Sequence, residues 1–153
     1  KKLAVDHSEL LFSQIQTAEN VLYLGDNCGE IVTDKLFIET TGRSDIHFAV
    51  RGYPALNDAT RDDARFTGMD KVAKIIDNGH SAPSTLLEKC SDDFLNVFNK
   101  ADLIISKGQG NLEGLVDVKD KNIFFLLTVK CEVMANRTGT NVKDIVVMNN
   151  QTF

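Results

Sequence analysis

Four short segments of this 153-residue chain place oxygen or cationic side chains beside glycines or at the ends of apolar runs. In Gly25-Asp26-Asn27-Cys28-Gly29-Glu30, Asp26 and Asn27 are hard oxygen donors of the kind Mg²⁺ or Mn²⁺ takes. Amides around Gly29 would open the next helix, where a phosphate can be held. The same residues also suit an Asx turn and helix cap, with Glu30 complementing the helix dipole. In Arg51-Gly52-Tyr53-Pro54-Ala55-Leu56-Asn57-Asp58, Asp58 would add a third oxygen to a metal site completed by water, and Asn57 would orient it. Asp58 is equally suited to cap a helix, and Arg51 to meet either a phosphate or a neighbouring carboxylate. In Lys107-Gly108-Gln109-Gly110-Asn111 a cation stands beside two glycines that permit an anion-binding backbone turn. Lys130 ends a long apolar run, placed to neutralise an anion or to reach solvent.

Several chemistries are disfavoured. The order GxxxxGK[ST] is absent, and GDNCGE does not match GxGxxG, so neither nucleotide-loop mechanism is supported. His7, His47 and His80 show no HxxxH or HExxH spacing, against a zinc hydrolase. No GxSxG elbow is present, and Cys28 has no obvious histidine partner, so it reads as a small loop-filling residue. Asp62 and Asp63 read as solvated acids of a first helical turn, and Glu113 and Glu132 as surface acids.

Composition sets the frame for these groups. With 42% hydrophobic and 25% charged residues, the chain has the profile of one globular domain. A formal net charge of -5 and a pI near 5.1 argue against non-specific nucleic-acid binding. No apolar run approaches a membrane span, and no signal peptide is evident. Cys28, Cys90 and Cys131 lack close CxxC spacing, which favours a reducing, cytoplasmic setting over a disulfide framework. The chain starts at Lys1 and enters a helical pattern almost at once. It is therefore expected to be part of a longer protein or a processed form.

The elements that would position the polar segments alternate. Apolar spacing predicts helices over 3–18, 29–41, 58–66, 83–90 and 92–99. Short apolar runs predict strands over 21–24, 46–50, 74–77, 103–105, 122–129 and 144–148. Gly42 is expected to stop the second helix. Buried strands between helices define an α/β, Rossmann-like, three-layer domain with a mostly parallel sheet covered by helices. Ligands of such sheets sit beyond the carboxyl ends of the strands, where Asp26, Asn27, Asp58, Lys107 and Lys130 all fall. One such acid is an ordinary cap; several groups on neighbouring strand ends favour a metal site.

Taken in order, GDNCGE, RGYPALNDAT, SKGQGN and LLTVKCE resemble the DUF89 family, also called the ARMT1-like or damage-control phosphatase family. The resemblance covers roughly Val21 to the C-terminus. It implies a divalent ion, Mn²⁺, Co²⁺, Ni²⁺ or Mg²⁺, on Asp26, Asn27 and Asp58. It implies substrate contacts from the Gly108–Asn111 turn and Lys130, with Glu30 near the ligand. Leu127 stands where an arginine occurs in part of the family, which points to the simpler prokaryotic-type branch. Family members carry an additional helical N-terminal region, largely lacking here. The implied activity is metal-dependent hydrolysis of a small phosphorylated metabolite, a sugar phosphate or a damaged phosphometabolite. Asp26 or Asp58 would be nucleophile or proton carrier, with Lys107, Lys130 and the loop amides positioning the phosphoryl group. Two other readings are a carboxyl methyltransferase using S-adenosylmethionine and a non-catalytic metabolite-binding domain.

Overall fold

The strands of this chain are short, and alternation within them divides the core in two. In the computed structural model, which describes residues 2–152, β2 (Val21–Leu24) turns Leu22 and Leu24 to one face and Val21 and Tyr23 to the other. Lys1 and Phe153, the ends of the expected 1–153 unit, lie outside the described residues. With β1 (Val5–Asp6), β3 (His47–Val50), β4 (Lys74–Asp77), β5 (Leu103–Lys107), β6 (Ile123–Thr128) and β7 (Ile145–Asn149), β2 builds a seven-stranded sheet ordered β1-β7-β6-β5-β2-β3-β4. The five strands from β6 to β4 are parallel; β7 runs antiparallel to β6, and β1 pairs parallel to β7.

Helices cover both faces and complete three layers. Residues of α1 (Ser8–Ile15), α2 (Ile31–Thr41) and α3 (Arg61–Thr67) pack on the face holding Tyr23, Phe48 and Phe124. Residues of α4 (Asp92–Lys100), α5 (Gly108–Leu115) and α6 (Glu132–Thr138) pack on the face holding Leu24, Ile104 and Phe125. Strands buried on both sides read as continuous apolar runs, which is why β2, β5 and β6 stand out in the sequence. As expected, Gly42 ends α2 in the left-handed conformation, at φ 70°.

Two expectations need correction, and one helix answers to none. The helix expected over 3–18 begins only at Ser8; Val5 and Asp6 join the open edge of β7, and Asp6 accepts the Ser8 N–H at 3.1 Å. The expected 83–90 helix is reduced to a 3₁₀ turn, Leu87–Lys89. Its earlier part lies against the glycines of α5, where a Cβ on Gly110 would stand 2.1 Å from the Pro83 carbonyl oxygen. Lys107–Asn111 forms the end of β5 and the first turn of α5, so its two glycines open a helix. Finally, α6 answers to no expected element: Met134, Ala135 and Thr138 are its buried residues, too few for a clear apolar stripe.

The connections define where a ligand belongs. From β2 the chain winds outward to β3 and β4, then returns to the opposite side of β2 as β5 and continues to β6. The reversal makes the β2/β5 boundary the topological switch point of the sheet, the place where open α/β sheets leave a crevice.

Candidate active site

Register brings the first and third polar segments face to face. Leu24 pairs with Ser106, so Asp26 and Gly108, two residues further along each chain, meet across the switch point. Gly108 has φ +77°, and a Cβ there would lie 2.0 Å from Asp26 Oδ2, so only glycine fits beside this carboxylate. The cleft beyond measures about 300 Å³ and is lined by Asp26, Glu30, Lys107, Gly108, Gln109 and Lys130 over an aliphatic floor that includes Leu126 and Val147.

The first and second segments are joined by backbone. Asn27 and Asp58 form an isolated antiparallel bridge, with Ala59 N–H on the Asp26 carbonyl at 2.7 Å and Cys28 N–H on the Asn57 carbonyl at 2.9 Å. Asp58 does not cap α3; Thr60 does, in a capping box with Asp63. Asn27 donates to Asp26 Oδ2 at 2.9 Å, while Asn57 donates to Asn27 Oδ1. Asn57 thus orients Asn27, where the sequence reading had it orient Asp58.

Burial sorts the cations. Arg51 is 4% exposed and donates to Asp58 Oδ2 at 2.6 Å and to Asn111 Oδ1 at 3.0 Å. Of its two expected partners, the neighbouring carboxylate is the one it meets, and it stands behind the cleft as a support. Asn111, fully buried, in turn donates to the carbonyls of Gly25 at 3.0 Å and Lys107 at 2.8 Å, tying the ends of β2 and β5. Gln109 Oε1 accepts the Lys130 N–H at 2.6 Å, which fixes the backbone from which the exposed Lys130 side chain extends. Gly110 packs under Pro83 and does not line the cleft.

Lys107 Nζ lies 2.8 Å from both Glu30 Oε2 and Asp34 Oδ1. Burial works against its ammonium, yet the two carboxylates together hold its pKa above the usual lysine value. Sequence reasoning missed Asp34. Its signal was its place between Ile31 and Ile38, an acid on the apolar stripe of α2.

The electrostatics of the cluster favour a cation. Burial raises the Asp26 pKa, and the Asp58 charge raises it further against the opposing pull of Arg51. Four carboxylates, Asp26, Glu30, Asp34 and Asp58, outnumber the three cations Arg51, Lys107 and Lys130. Among the described residues no group of three His, Cys, Asp or Glu side chains is arranged to hold a metal. The candidate set is instead two carboxylates and one amide. That set fits a hard divalent ion, which keeps several waters and needs only one or two carboxylates.

Comparison with known proteins shows which family this α/β sheet, with acids and lysines at its switch point, belongs to. The model of the damage-control phosphatase ARMT1-like domain matches residues 1–146, and the chain belongs to that family. A damage-control phosphatase of Pyrococcus horikoshii is 39% identical over 153 residues, covering 98% of this chain and 53% of the relative. A damage-control phosphatase of Archaeoglobus fulgidus is 41% identical over 129 residues, covering 82% of this chain and 45% of the relative. The crystal structure of a DUF89 family protein from Pyrococcus horikoshii superimposes with TM-score 0.94 at 38% identity, covering 98% of this chain and 54% of that one. The chain therefore spans about half the length of the curated relatives it matches.

Proposed function

We propose that the chain supplies the metal and phosphate sites of a metal-dependent phosphatase acting on small phosphorylated metabolites, sugar phosphates or damaged phosphometabolites. The observation that supports this reading is the bridged pair of loops that holds Asn27 against Asp58 next to Asp26, the carboxylate that shares the cleft at the switch point with Lys107. Membership of the family and the phosphatase names of two relatives support the same reaction class.

In this reading Asp26, Asn27 and Asp58 hold a divalent ion, Mn²⁺, Co²⁺, Ni²⁺ or Mg²⁺. When bound there, such an ion polarises a phosphoryl oxygen and makes water a better nucleophile. Asp26 and Asp58 are the catalytic carboxylates, the first facing the cleft and the second held by Arg51. Lys107 and Lys130 flank the cleft and offset negative charge on the transferring group. Gly108 leaves room for the Asp26 carboxylate itself, and Gln109 fixes Lys130 through its main chain. Glu30 keeps Lys107 at the cleft wall. Leu126 and Val147 give the carbon part of the ester a dry bed.

The test is phosphate release from a panel of sugar phosphates by protein stripped with a chelator and then supplied with Mn²⁺ or Co²⁺. Release is expected only with metal, and Asp26→Ala should lower it about a hundredfold or more. No release from any substrate, or full metal-dependent activity in Asp26→Ala, would refute the proposal.

A further inference from the structure

We infer that Asp34 is a positioning residue for Lys107, and that Tyr23 fixes Asp34 in that task. The inference rests on the phosphatase reading only for what Lys107 does to a substrate.

The two carboxylates on Lys107 differ in kind. The Glu30 side chain is 46% exposed and lines the cleft, whereas the Asp34 side chain is 4% exposed and does not. Asp34 Oδ1 accepts from Lys107 and also from the buried Tyr23 hydroxyl, each at 2.8 Å, while Asp34 Oδ2 is buried without a hydrogen-bond partner among the described residues. Tyr23 is itself held, its ring stacked on Phe48 at 5.3 Å between centroids. The chain of contacts therefore runs from the core of the sheet, through Tyr23 and Asp34, to an ammonium at the cleft.

A buried carboxylate is costly, and an apolar residue of similar size packs a helix onto a sheet at least as well. Packing gives no reason for an acid between Ile31 and Ile38. Anchoring does: a lysine is a flexible stem with three N–H donors, and holding two of them leaves the third in one direction. Asp34 and Glu30 take two. The third serves a phosphoryl oxygen in the cleft, presented without loss of side-chain entropy at the moment of reaction.

Two variants separate anchoring from packing. Asp34→Asn keeps the shape and removes the charge; Tyr23→Phe keeps the stack and removes only the hydroxyl. The first readout is the rate at which acetic anhydride modifies Lys107, followed by mass spectrometry. The inference expects Lys107 to react severalfold faster in Asp34→Asn and to a smaller extent faster in Tyr23→Phe. The second readout is hydrolysis of p-nitrophenyl phosphate with Mn²⁺, with inorganic phosphate as inhibitor. Loss of positioning should lower kcat about tenfold or more while changing phosphate inhibition far less. Unchanged Lys107 reactivity and unchanged kcat in folded Asp34→Asn would overturn the inference. If that variant does not fold, the same null result in Tyr23→Phe would do so. If the unaltered protein hydrolyses nothing, the phosphatase reading fails while the labelling rates still decide whether Asp34 anchors Lys107.

Discussion

Gly108 shows how little space the site leaves for change. Its φ of +77° disfavours any other residue, and a Cβ would overlap the Asp26 carboxylate. Gly108→Ala should cost about 1 kcal/mol from backbone conformation alone, and more from the displaced Asp26. Urea unfolding reads the stability loss, and calorimetric titration with Mn²⁺ should show weaker binding; native values for both would mean Asp26 is not held by this contact. At this scale much of the candidate site was legible in the sequence. Acids, amides and lysines at the ends of apolar runs marked Asp26, Asn27, Asp58, Lys107 and Lys130. What was not legible was who faces whom. Arg51 stands behind the cleft because Asp58 of its own segment and the distant Thr85 and Asn111 converge on it. Asp34 stayed hidden because its partner is 73 residues away.

The second loop depends on how α3 begins. Thr60 and Asp63 satisfy each other's backbone, with Thr60 N–H on Asp63 Oδ2 at 2.8 Å. That cap fixes the residue after Ala59, whose N–H holds the Asp26 carbonyl. Thr60→Ala is therefore expected to cost about 1 kcal/mol in thermal or urea unfolding and to weaken Mn²⁺ binding. A stability loss with unchanged Mn²⁺ affinity would uncouple the cap from the site. Strands were the elements best read from sequence, since β2, β3 and β4 each match an apolar run with a polar end. Elements set by pairing were not. A two-residue β1 exists only because β7 offers an edge, and nothing in Val5-Asp6 by itself favours a strand over a helix. The antiparallel pairing of β7 with β6 is likewise not legible in its composition. On the other edge, Arg61 donates to the Ile75 carbonyl at 3.3 Å and pairs with Asp77 at 2.5 Å, so the outer side of β4 is partly covered.

For the molecule as a whole, the site stands in opposition to stability. Burial first, then Asp58, lifts the Asp26 pKa above its usual value of 3.8, so in the metal-free protein the folded state resists ionising it. A carboxylate raised in this way lowers stability as pH rises from that usual value through the folded one, and the whole penalty is present above both. Asp26→Asn should therefore raise the Tm of chelator-treated protein at neutral pH. The gain should shrink as pH falls through the raised pKa, because native Asp26 then takes up the proton itself. His47 and His80, whose pKa values are lowered chiefly by burial, act equally in both proteins and cancel in the difference. A variant less stable than native at neutral pH would contradict this account. The same substitution should weaken Mn²⁺ binding, a trade of stability for function common at active sites.

Where a divalent ion sits decides whether Asp26, Asn27 and Asp58 form a metal site. Crystals grown with Mn²⁺ and measured for anomalous diffraction locate it directly. The expected result is a peak bounded by the side-chain oxygens of Asp26, Asn27 and Asp58, lost in crystals of Asp58→Asn. A peak elsewhere in the molecule, or none at saturating Mn²⁺, would contradict the assignment.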